Sequence, residues 1–178
     1  MAKRLVISAS PRAMGKCARV SKALVTHMTS AFPGDEVDYL RLPDLNIHHC
    51  TGCDVCKSTQ ECCIEDDMTQ VLAAVTCADE IYIVAPVYFT GPSANYKAML
   101  DRFQPYYWTD TRKGPRRSVH LIAFGEGGDP YGYDALPLCT RSAFDVVGFD
   151  LSSLNAYIGI DANEAAKKVV ADLFGTED

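Results

Sequence analysis

The chain alternates between short, continuous apolar runs and longer segments in which apolar residues recur with the period of a helix. The apolar runs predict strands, at Arg4 to Ser8, Glu36 to Leu40, Glu80 to Ala85, Val119 to Phe124 and around Leu151 to Ile158. The helical patterns between them predict helices, at Lys16 to Thr29, Asp67 to Cys77, Ser93 to Phe103, Asp134 to Val147 and Asn163 to Phe174. This alternation predicts an α/β fold, a doubly wound parallel sheet with helices on both faces and ligands at the carboxyl ends of its strands.

Composition and charge then narrow the class of protein. The chain has 178 residues, of which 48% are hydrophobic, and we expect residues 1–178 to form a single domain. A net charge of −6 argues against a protein that coats nucleic acid, and no apolar run has the length of a membrane span. The N-terminus has no long apolar core of the secretory type, so we expect a soluble, cytoplasmic protein.

The first predicted strand leads into a loop with the chemistry of an anion site. Pro11 and Gly15 interrupt regular structure, and the helix that follows begins with free backbone N–H groups and the positive end of its dipole. Ser10 adds a hydroxyl group, and Arg12 and Lys16 add positive charge. We expect a phosphate group to bind here; an ordinary strand-to-helix turn with solvated basic residues is the alternative.

A cysteine-rich segment interrupts the chain between residues 43 and 66, and it is longer than the connections usual in compact domains. Counted to Cys62, its spacing is C-x2-C-x2-C-x5-C, which predicts thiolate ligands of an iron–sulfur cluster. The predicted ligands are Cys50, Cys53, Cys56 and Cys62. A zinc site and a metal-free, redox-active or reduced loop remain alternatives. Cys63 is expected to face away or to serve as a spare thiol.

The third predicted strand runs into the sequence PVYF, an aromatic pair at the edge of the sheet where ligands bind. Tyr88 and Phe89 can cover a planar ring there, although a simple core turn is the alternative. Ser93 is expected to cap the next helix. Asp101 and Arg102 are expected to be surface or interface charges.

Together the segments SASPRAMGKC, CTGCDVCKSTQECCIEDDM and APVYFTGPSANYKAMLDR resemble the flavodoxin-like NAD(P)H-dependent FMN reductases, and within them the iron–sulfur flavoproteins. The resemblance implies a flavodoxin-like fold with a five-stranded parallel sheet. It also implies an oxidoreductase that accepts hydride from NAD(P)H on FMN and passes electrons to a flavin, quinone or protein acceptor. The resemblance further implies that a 4Fe–4S cluster could relay electrons and that the protein assembles as a homodimer.

The resemblance also assigns FMN contacts, residue by residue. The phosphate of FMN would lie among Ser10, Arg12, Gly15, Lys16 and Cys17. The flavin ring and the ribityl chain would lie along Pro86, Val87, Tyr88 and Phe89. A third loop that borders the flavin would contribute Gly125, Gly127 and Gly128. The chain departs from the family at Ala9, where a glycine is usual, and at Cys17, where a hydroxyl residue is usual. A thiol is a poorer donor than a hydroxyl. Either Lys16 compensates with its charge or FMN binding is weaker.

Other features leave alternatives open. The basic run Arg112, Lys113, Arg116 and Arg117 is either a solvated loop or an attractant for the 2′-phosphate of NADPH. A non-enzymatic flavin electron carrier and a zinc-stabilised, flavin-free interaction domain are the alternatives to an enzyme. We assign no acid–base residue, because the chemistry of hydride transfer belongs to the cofactor.

Overall fold

Five parallel strands form one sheet in a computed structural model that describes residues 1–175. The strands are β1 (Lys3–Ser8), β2 (Glu36–Arg41), β3 (Glu80–Pro86), β4 (Arg117–Gly125) and β5 (Phe149–Ile158). The helices are α1 (Lys16–Ala31), α2 (Cys56–Thr59), α3 (Met68–Cys77), α4 (Ala94–Asp101), α5 (Gln104–Tyr107), α6 (Ala135–Val146) and α7 (Ala165–Phe174). Short 3₁₀ turns lie at Leu42–Asp44 and Thr111–Lys113.

The strand order is β2-β1-β3-β4-β5, so the chain reverses its direction of growth between β1 and β3. This is the flavodoxin-like order, and the predicted fold class is confirmed. Ser8 pairs with Val84, and Pro86 pairs with Phe124, so the carboxyl ends of β1, β3 and β4 are neighbours. A crevice outside this edge is where such sheets bind ligands.

The two faces of the sheet bury separate hydrophobic clusters because successive strand side chains point to opposite sides. In β3, Ile81 and Ile83 join the cluster under α3, α4 and α6. Val84 joins the cluster under α1 and α7. Burial on both faces explains why the three central strands, β1, β3 and β4, contain continuous apolar runs, whereas the edge strands β2 and β5 are partly exposed.

Two predicted segments differ from the structure. The helix expected from Ser93 to Phe103 ends at Asp101, and a separate turn of helix follows over Gln104–Tyr107, with Pro105 in its first turn. Pro105 has no N–H group, so it cannot donate the bond that would continue α4. The cysteine-rich segment contains the short helix α2, which the sequence pattern does not predict. Within residues 1–175, none of the helices combines the length and apolar character that a membrane crossing requires.

Candidate functional site

The loop after β1 leads into the start of a long helix, where backbone N–H groups lack partners within the helix. Gly15 is the N-cap of α1 and provides no side-chain cap. The backbone ladder begins with the bond from the Arg19 N–H to the Gly15 carbonyl, 3.1 Å long. The N–H groups of Lys16 and Cys17 precede that ladder and need an acceptor from outside the helix.

Contacts from β3 and α4 hold this loop in place. The Ala9 N–H donates to the Val84 carbonyl at 2.9 Å, which continues the β1–β3 pairing beyond the end of β1. The buried Ser93 hydroxyl donates to the Ala9 carbonyl at 2.8 Å. Ser93 is therefore the N-cap residue by position, as expected, but its side chain fixes the loop after β1 instead of capping α4.

The loop after β1 forms one wall of a cleft of about 90 Å³ at the carboxyl edge of the sheet. The ends of β3 and β4 form the other walls. Residues lining it are Ser10, Arg12, Gly15, Lys16, Cys17, Pro86, Val87, Tyr88, Phe124, Gly125 and Glu126. Complete sites for cofactor-sized ligands measure about 300–1,000 Å³. The enclosed part therefore suits a phosphate and the chain next to it, while a ring would lie further out.

Positive charge dominates the loop side of the cleft. Between Ser10 and Cys17 the sequence contains Arg12 and Lys16 and no acidic residue. Burial raises the pKa of the Cys17 thiol to about 11, so the thiol stays neutral and brings no negative charge. The one carboxylate on the lining belongs to Glu126, whose Oε1 lies 3.0 Å from the Lys16 Nζ.

The aromatic pair sits on a strained turn beside the cleft. Tyr88 and Gly91 exchange two backbone hydrogen bonds, each 3.0 Å long. The two residues between them, Phe89 and Thr90, have φ of 47° and 66°. A turn of this shape usually contains Asn and Gly, because most side chains avoid positive φ. Tyr88 lines the cleft, whereas Phe89 projects from the turn with 96% of its surface exposed and does not line it.

Of the three glycines at the end of β4, only Gly125 lines the cleft. A Cβ atom on Gly125 would lie 2.9 Å from Ile158 Cδ1, so a side chain at this position requires the Ile158 side chain to move. Gly127 and Gly128 have φ of 89° and 85° and carry the loop away from the cleft. The structure therefore does not bring these two glycines together with the other proposed FMN contacts.

A second cavity, of about 30 Å³, is walled by all the cysteines of the segment. These are Cys50, Cys53, Cys56, Cys62 and Cys63. The Sγ atoms of Cys53 and Cys63 lie 3.5 Å apart. Cys63 therefore does not face away from the cavity: the short helix α2 turns the segment back, so that Cys63 meets Cys53. Its role as a spare thiol stays a prediction. We name this feature the cysteine cavity.

The cysteine cavity has the donor chemistry of an iron–sulfur site. Burial raises the pKa of the Cys56 thiol, and the neighbouring thiolates of Cys62, Cys53 and Cys50 add to that rise. Across residues 1–175, no three His, Cys, Asp or Glu side chains converge closely enough to hold a single metal ion. A cluster distributes its thiolates over several irons, so its ligands need not converge on one point. The residues present are compatible with such a group, and the ligand set remains a prediction.

Arg102 is buried against the cysteine cavity, with 2% of its surface exposed. Its guanidinium binds both carboxylate oxygens of Asp66, at 2.7 and 3.0 Å, and the carbonyl oxygens of His48 and Ile64, at 3.0 and 3.1 Å. The expectation of a surface charge is wrong, because Arg102 lies three residues after Met99 on the buried face and Asp66 neutralises it. We call this set of bonds the Arg102 clamp.

The basic run lies at the opposite edge of the sheet. Arg117 begins β4, roughly 26 Å from the cleft at the strand's other end. Its guanidinium donates to the carbonyls of Thr76, Ala78 and Val147 at 2.8, 2.8 and 3.1 Å. Arg116 pairs with Asp145 and Asp150. Arg112 and Lys113 are exposed on the 3₁₀ turn at Thr111–Lys113, in agreement with a solvated loop. Arg116 and Arg117 instead tie the start of β4 to its neighbours.

A parallel sheet of this order, with a cleft at its switch point, defines a flavodoxin-like protein. Residues 2–153 match the family described as NADPH-dependent FMN reductase, and the chain belongs to that family.

Sequence relatives point to one branch of the family. The chain is 31% identical over 125 residues to an iron-sulfur flavoprotein of Archaeoglobus fulgidus, which covers 70% of this chain and 56% of that protein. It is 35% identical over 99 residues to an iron-sulfur flavoprotein of Methanocaldococcus jannaschii, which covers 56% of this chain and 50% of that protein. The chain thus spans about half the length of these curated relatives.

Solved structures share the fold at low sequence identity. An FMN-dependent NADH-azoreductase from Bacillus anthracis, in complex with FMN, superposes with a TM-score of 0.71 at 16% identity, over 97% of this chain and 96% of that one. A putative quinone reductase from Klebsiella pneumoniae gives a TM-score of 0.66 at 16% identity, over 99% of this chain and 86% of that one.

Three residues at the cleft and the cysteine cavity are not among the site residues that the sequence predicts. Phe124 and Glu126 line the cleft on either side of Gly125. Because Gly125 is predicted from the sequence, its two neighbours in the chain could have been predicted with it. Arg102 has a weaker signal, its place on the apolar face of α4. The partner that makes its burial possible, Asp66, is 36 residues away.

Proposed function

We propose that the chain is an FMN-dependent oxidoreductase that accepts hydride from NADH or NADPH and passes electrons to a flavin, quinone or protein acceptor. The observation that carries the proposal is the cleft in which the loop after β1, the end of β3 and the end of β4 meet. Membership of the NADPH-dependent FMN reductase family supports the choice of cofactor. When bound, FMN supplies hydride acceptance and electron release.

The chain's own residues would hold the phosphate of FMN at the start of α1. The N–H groups of Lys16 and Cys17 offer donors, and the helix dipole favours an anion at that point. Arg12 and Lys16 add two positive charges, which suits the dianionic phosphate. The neutral thiol of Cys17 avoids repulsion. The charge of Lys16 thus compensates for the weaker donor at position 17.

The aromatic turn would support the flavin ring. Tyr88 lines the cleft, and the backbone from Pro86 to Val87 runs along its wall. Phe89 is almost fully exposed just outside it, where it can cover a ring that extends beyond the enclosed part. Gly125 allows the β4 backbone to approach from the other side.

The cysteine cavity would hold a 4Fe–4S cluster that relays single electrons. The five thiols on the walls of the cavity support this proposal, and so do the relatives that are named iron-sulfur flavoproteins. We keep Cys50, Cys53, Cys56 and Cys62 as the proposed ligands. A zinc site and a metal-free thiol loop are the competing accounts, and metal analysis separates them.

Metal analysis after anaerobic purification tests the cluster. We expect about four irons and four sulfides per chain, which is the content of one cube. Cys56→Ser should lower both without removing FMN, whereas Cys77→Ser, at the end of α3 and outside the cavity, should lower neither. Zinc without sulfide, or iron-free protein after anaerobic reconstitution, would reject the cluster and leave the flavin function intact.

Assembly and location complete the proposal. We infer a cytoplasmic homodimer with the nicotinamide cofactor as a transient partner. Two exposed aromatic residues, Phe89 on the turn beside the cleft and Tyr131 in the connection from β4 to α6, support a site that is completed by a second subunit. Sedimentation of the FMN-loaded protein measures the assembly; a monomer at micromolar concentration would contradict it.

An anaerobic titration with NADH and NADPH tests the enzyme function. Protein loaded with FMN should lose its visible flavin absorbance on addition of at least one nicotinamide. Flavin that stays oxidised with both nucleotides, yet is bleached by dithionite, would indicate an electron carrier instead. Protein that stays colourless in the presence of FMN would favour the flavin-free interaction domain.

A further inference from the structure

The guanidinium of Arg102 has one N–H group left over. An arginine carries five N–H donors in a fixed fork. The Nη1 atom bonds the His48 carbonyl and Asp66, and the Nη2 atom bonds the Ile64 carbonyl and Asp66. These bonds use four of the five donors. The Nε atom is buried, and none of the described residues accepts its hydrogen.

An unpaired buried donor is unusual and calls for an acceptor. Arg102 forms part of the wall of the cysteine cavity, and Cys62 lies on the same wall. Both residues also border an adjacent cavity of about 420 Å³, so Cys62 lies between two open spaces and beside the guanidinium. The structure has no hydrogen bond between the two side chains.

Electrostatics point the same way. Burial would lower the pKa of Arg102, but the hydrogen bonds that Arg102 donates to Asp66 and the negative charge of Asp66 outweigh burial and raise it. Asp66 has no exposed side-chain surface and offsets most of the charge of Arg102. What Arg102 can offer Cys62 is therefore a directed N–H group rather than a full positive charge.

The clamp also fixes where this N–H group lies. It binds the chain at His48, before the first cysteine of the segment, and at Ile64, directly after the last. The two ends of the cysteine segment are thus attached to the residue that directly follows α4. A guanidinium held by four bonds has little freedom to turn, so the direction of its Nε–H group is fixed.

We propose that Arg102 is a positioning residue for the sulfur-ligated group of the cysteine cavity, and that its Nε–H donates to the Sγ of Cys62. This inference rests on the proposed cluster. A hydrogen bond to a ligand sulfur stabilises the extra negative charge of the reduced group and so raises the reduction potential. Arg102 would then set the reduction potential of a group bound in the cysteine cavity, without touching either FMN or the nicotinamide.

The test compares the cluster potential of the wild-type holoprotein with that of Arg102→Lys, measured by anaerobic redox titration on the iron-loaded fraction. Lysine keeps a positive charge near Asp66 but has no Nε–H fork. We expect at least a tenfold loss in the one-electron reduction equilibrium, which corresponds to about 59 mV towards negative potential. FMN affinity and the flavin potential should not change, because the cleft lies at a separate place on the sheet.

Lys97→Gln is the matched control. Lys97 is a half-exposed cation on α4 that does not line the cysteine cavity, and its pair with Asp101, which does, is open to solvent. Its removal should therefore shift the cluster potential far less than Arg102→Lys does. If Arg102→Lys does not fold, the double variant D66N/R102Q removes both buried charges together. Removing both partners avoids leaving one charge unpaired. The same negative shift is expected for it.

The outcomes are distinguishable. Iron-loaded Arg102→Lys, or the double variant in its place, with the wild-type cluster potential would overturn this inference and leave the proposed function standing. An equal shift in Lys97→Gln would do the same, because it would assign the effect to charge alone. Wild-type protein that binds no iron after reconstitution would overturn the cluster, and this inference with it, while flavin reduction by NAD(P)H would be unaffected.

Discussion

The ammonium group of Lys16 lies 3.0 Å from the Oε1 atom of Glu126 and so joins the loop after β1 to the loop after β4 across the cleft. Lys16 is mostly covered, whereas 78% of the Glu126 side chain is exposed. The carboxylate occupies the place where a phosphate oxygen would meet Lys16. Glu126 therefore competes with the phosphate that we propose for this cleft.

Neutralising Glu126 should tighten FMN binding. An exposed ion pair of this kind is worth about 0.2–1 kcal/mol, so Glu126→Gln should lower the FMN Kd by up to about fivefold. Fluorescence titration of FMN measures the change. Glu36→Gln is the control, because Glu36 pairs with Lys3 at the opposite edge of the sheet. Weaker binding in Glu126→Gln would mean that the carboxylate contributes to the site.

Removing Arg12 should weaken FMN binding. A charge-assisted hydrogen bond contributes about 1.5–3 kcal/mol, so Arg12→Ala should raise the Kd tenfold or more. Lys22→Ala removes a solvent-exposed cation from the same segment, on α1, and should leave the Kd unchanged. Equal affinities for Arg12→Ala and the wild type would remove Arg12 from the site.

The strained turn predicts a stabilising substitution. Thr90 adopts φ of 66°, a region that costs a non-glycine residue about 1–2 kcal/mol. Thr90→Gly removes that strain and should raise the free energy of unfolding by about 1 kcal/mol, measured in urea at constant m. Thr69→Gly, in the exposed first turn of α3, should instead lose about 0.3 kcal/mol, because threonine already has a lower helix propensity than alanine. A destabilised Thr90→Gly would show that the threonine side chain makes up for its strain.

The Arg102 clamp predicts a pH dependence of stability. Hydrogen bonds from Arg102, His48 and Met68 outweigh burial and hold the pKa of Asp66 well below its usual range. A lowered folded pKa means that the stabilisation is complete above the unfolded value of about 3.9 and disappears as the pH falls towards the folded value.

Asp66→Asn should therefore cost about 3–5 kcal/mol at neutral pH, because it leaves Arg102 buried without a counter-ion. The difference from the wild type should shrink below about pH 4. Urea unfolding at several pH values measures it. Asp101→Asn, which loses only a half-exposed pair with Lys97, should stay close to the wild type throughout. A constant difference from pH 7 to pH 3 would contradict the account of Asp66.

Much of the fold follows from local sequence signals. The apolar runs of β1 and β3 are continuous because both faces of each strand are buried, and this fixes a parallel sheet from the sequence alone. The loop after β1 is equally local, because a strand, Gly15 and the helix start are adjacent in the chain. Its charged residues could therefore be assigned to a phosphate site before any contact was known.

What the sequence did not predict depends on distant partners. The burial of Arg102 needs Asp66, and the inward direction of Cys63 needs Cys53, ten residues away through the turn of α2. The strained turn at Phe89 is held by the Tyr88–Gly91 bonds and by the bond from the Leu136 N–H to the Thr90 carbonyl, 3.0 Å long. No residue propensity predicts positive φ for Phe and Thr, since tertiary contacts impose it.

The central claim is that the cleft binds the phosphate of FMN, and a comparison of FMN with riboflavin tests it most directly. Riboflavin has the same ring and ribityl chain but no phosphate. At least two charge-assisted contacts, worth about 1.5 kcal/mol or more each, should make FMN bind at least about a hundredfold more tightly. Titration of the flavin-free protein with both ligands under the same conditions gives the ratio. Equal affinities for FMN and riboflavin would contradict the account.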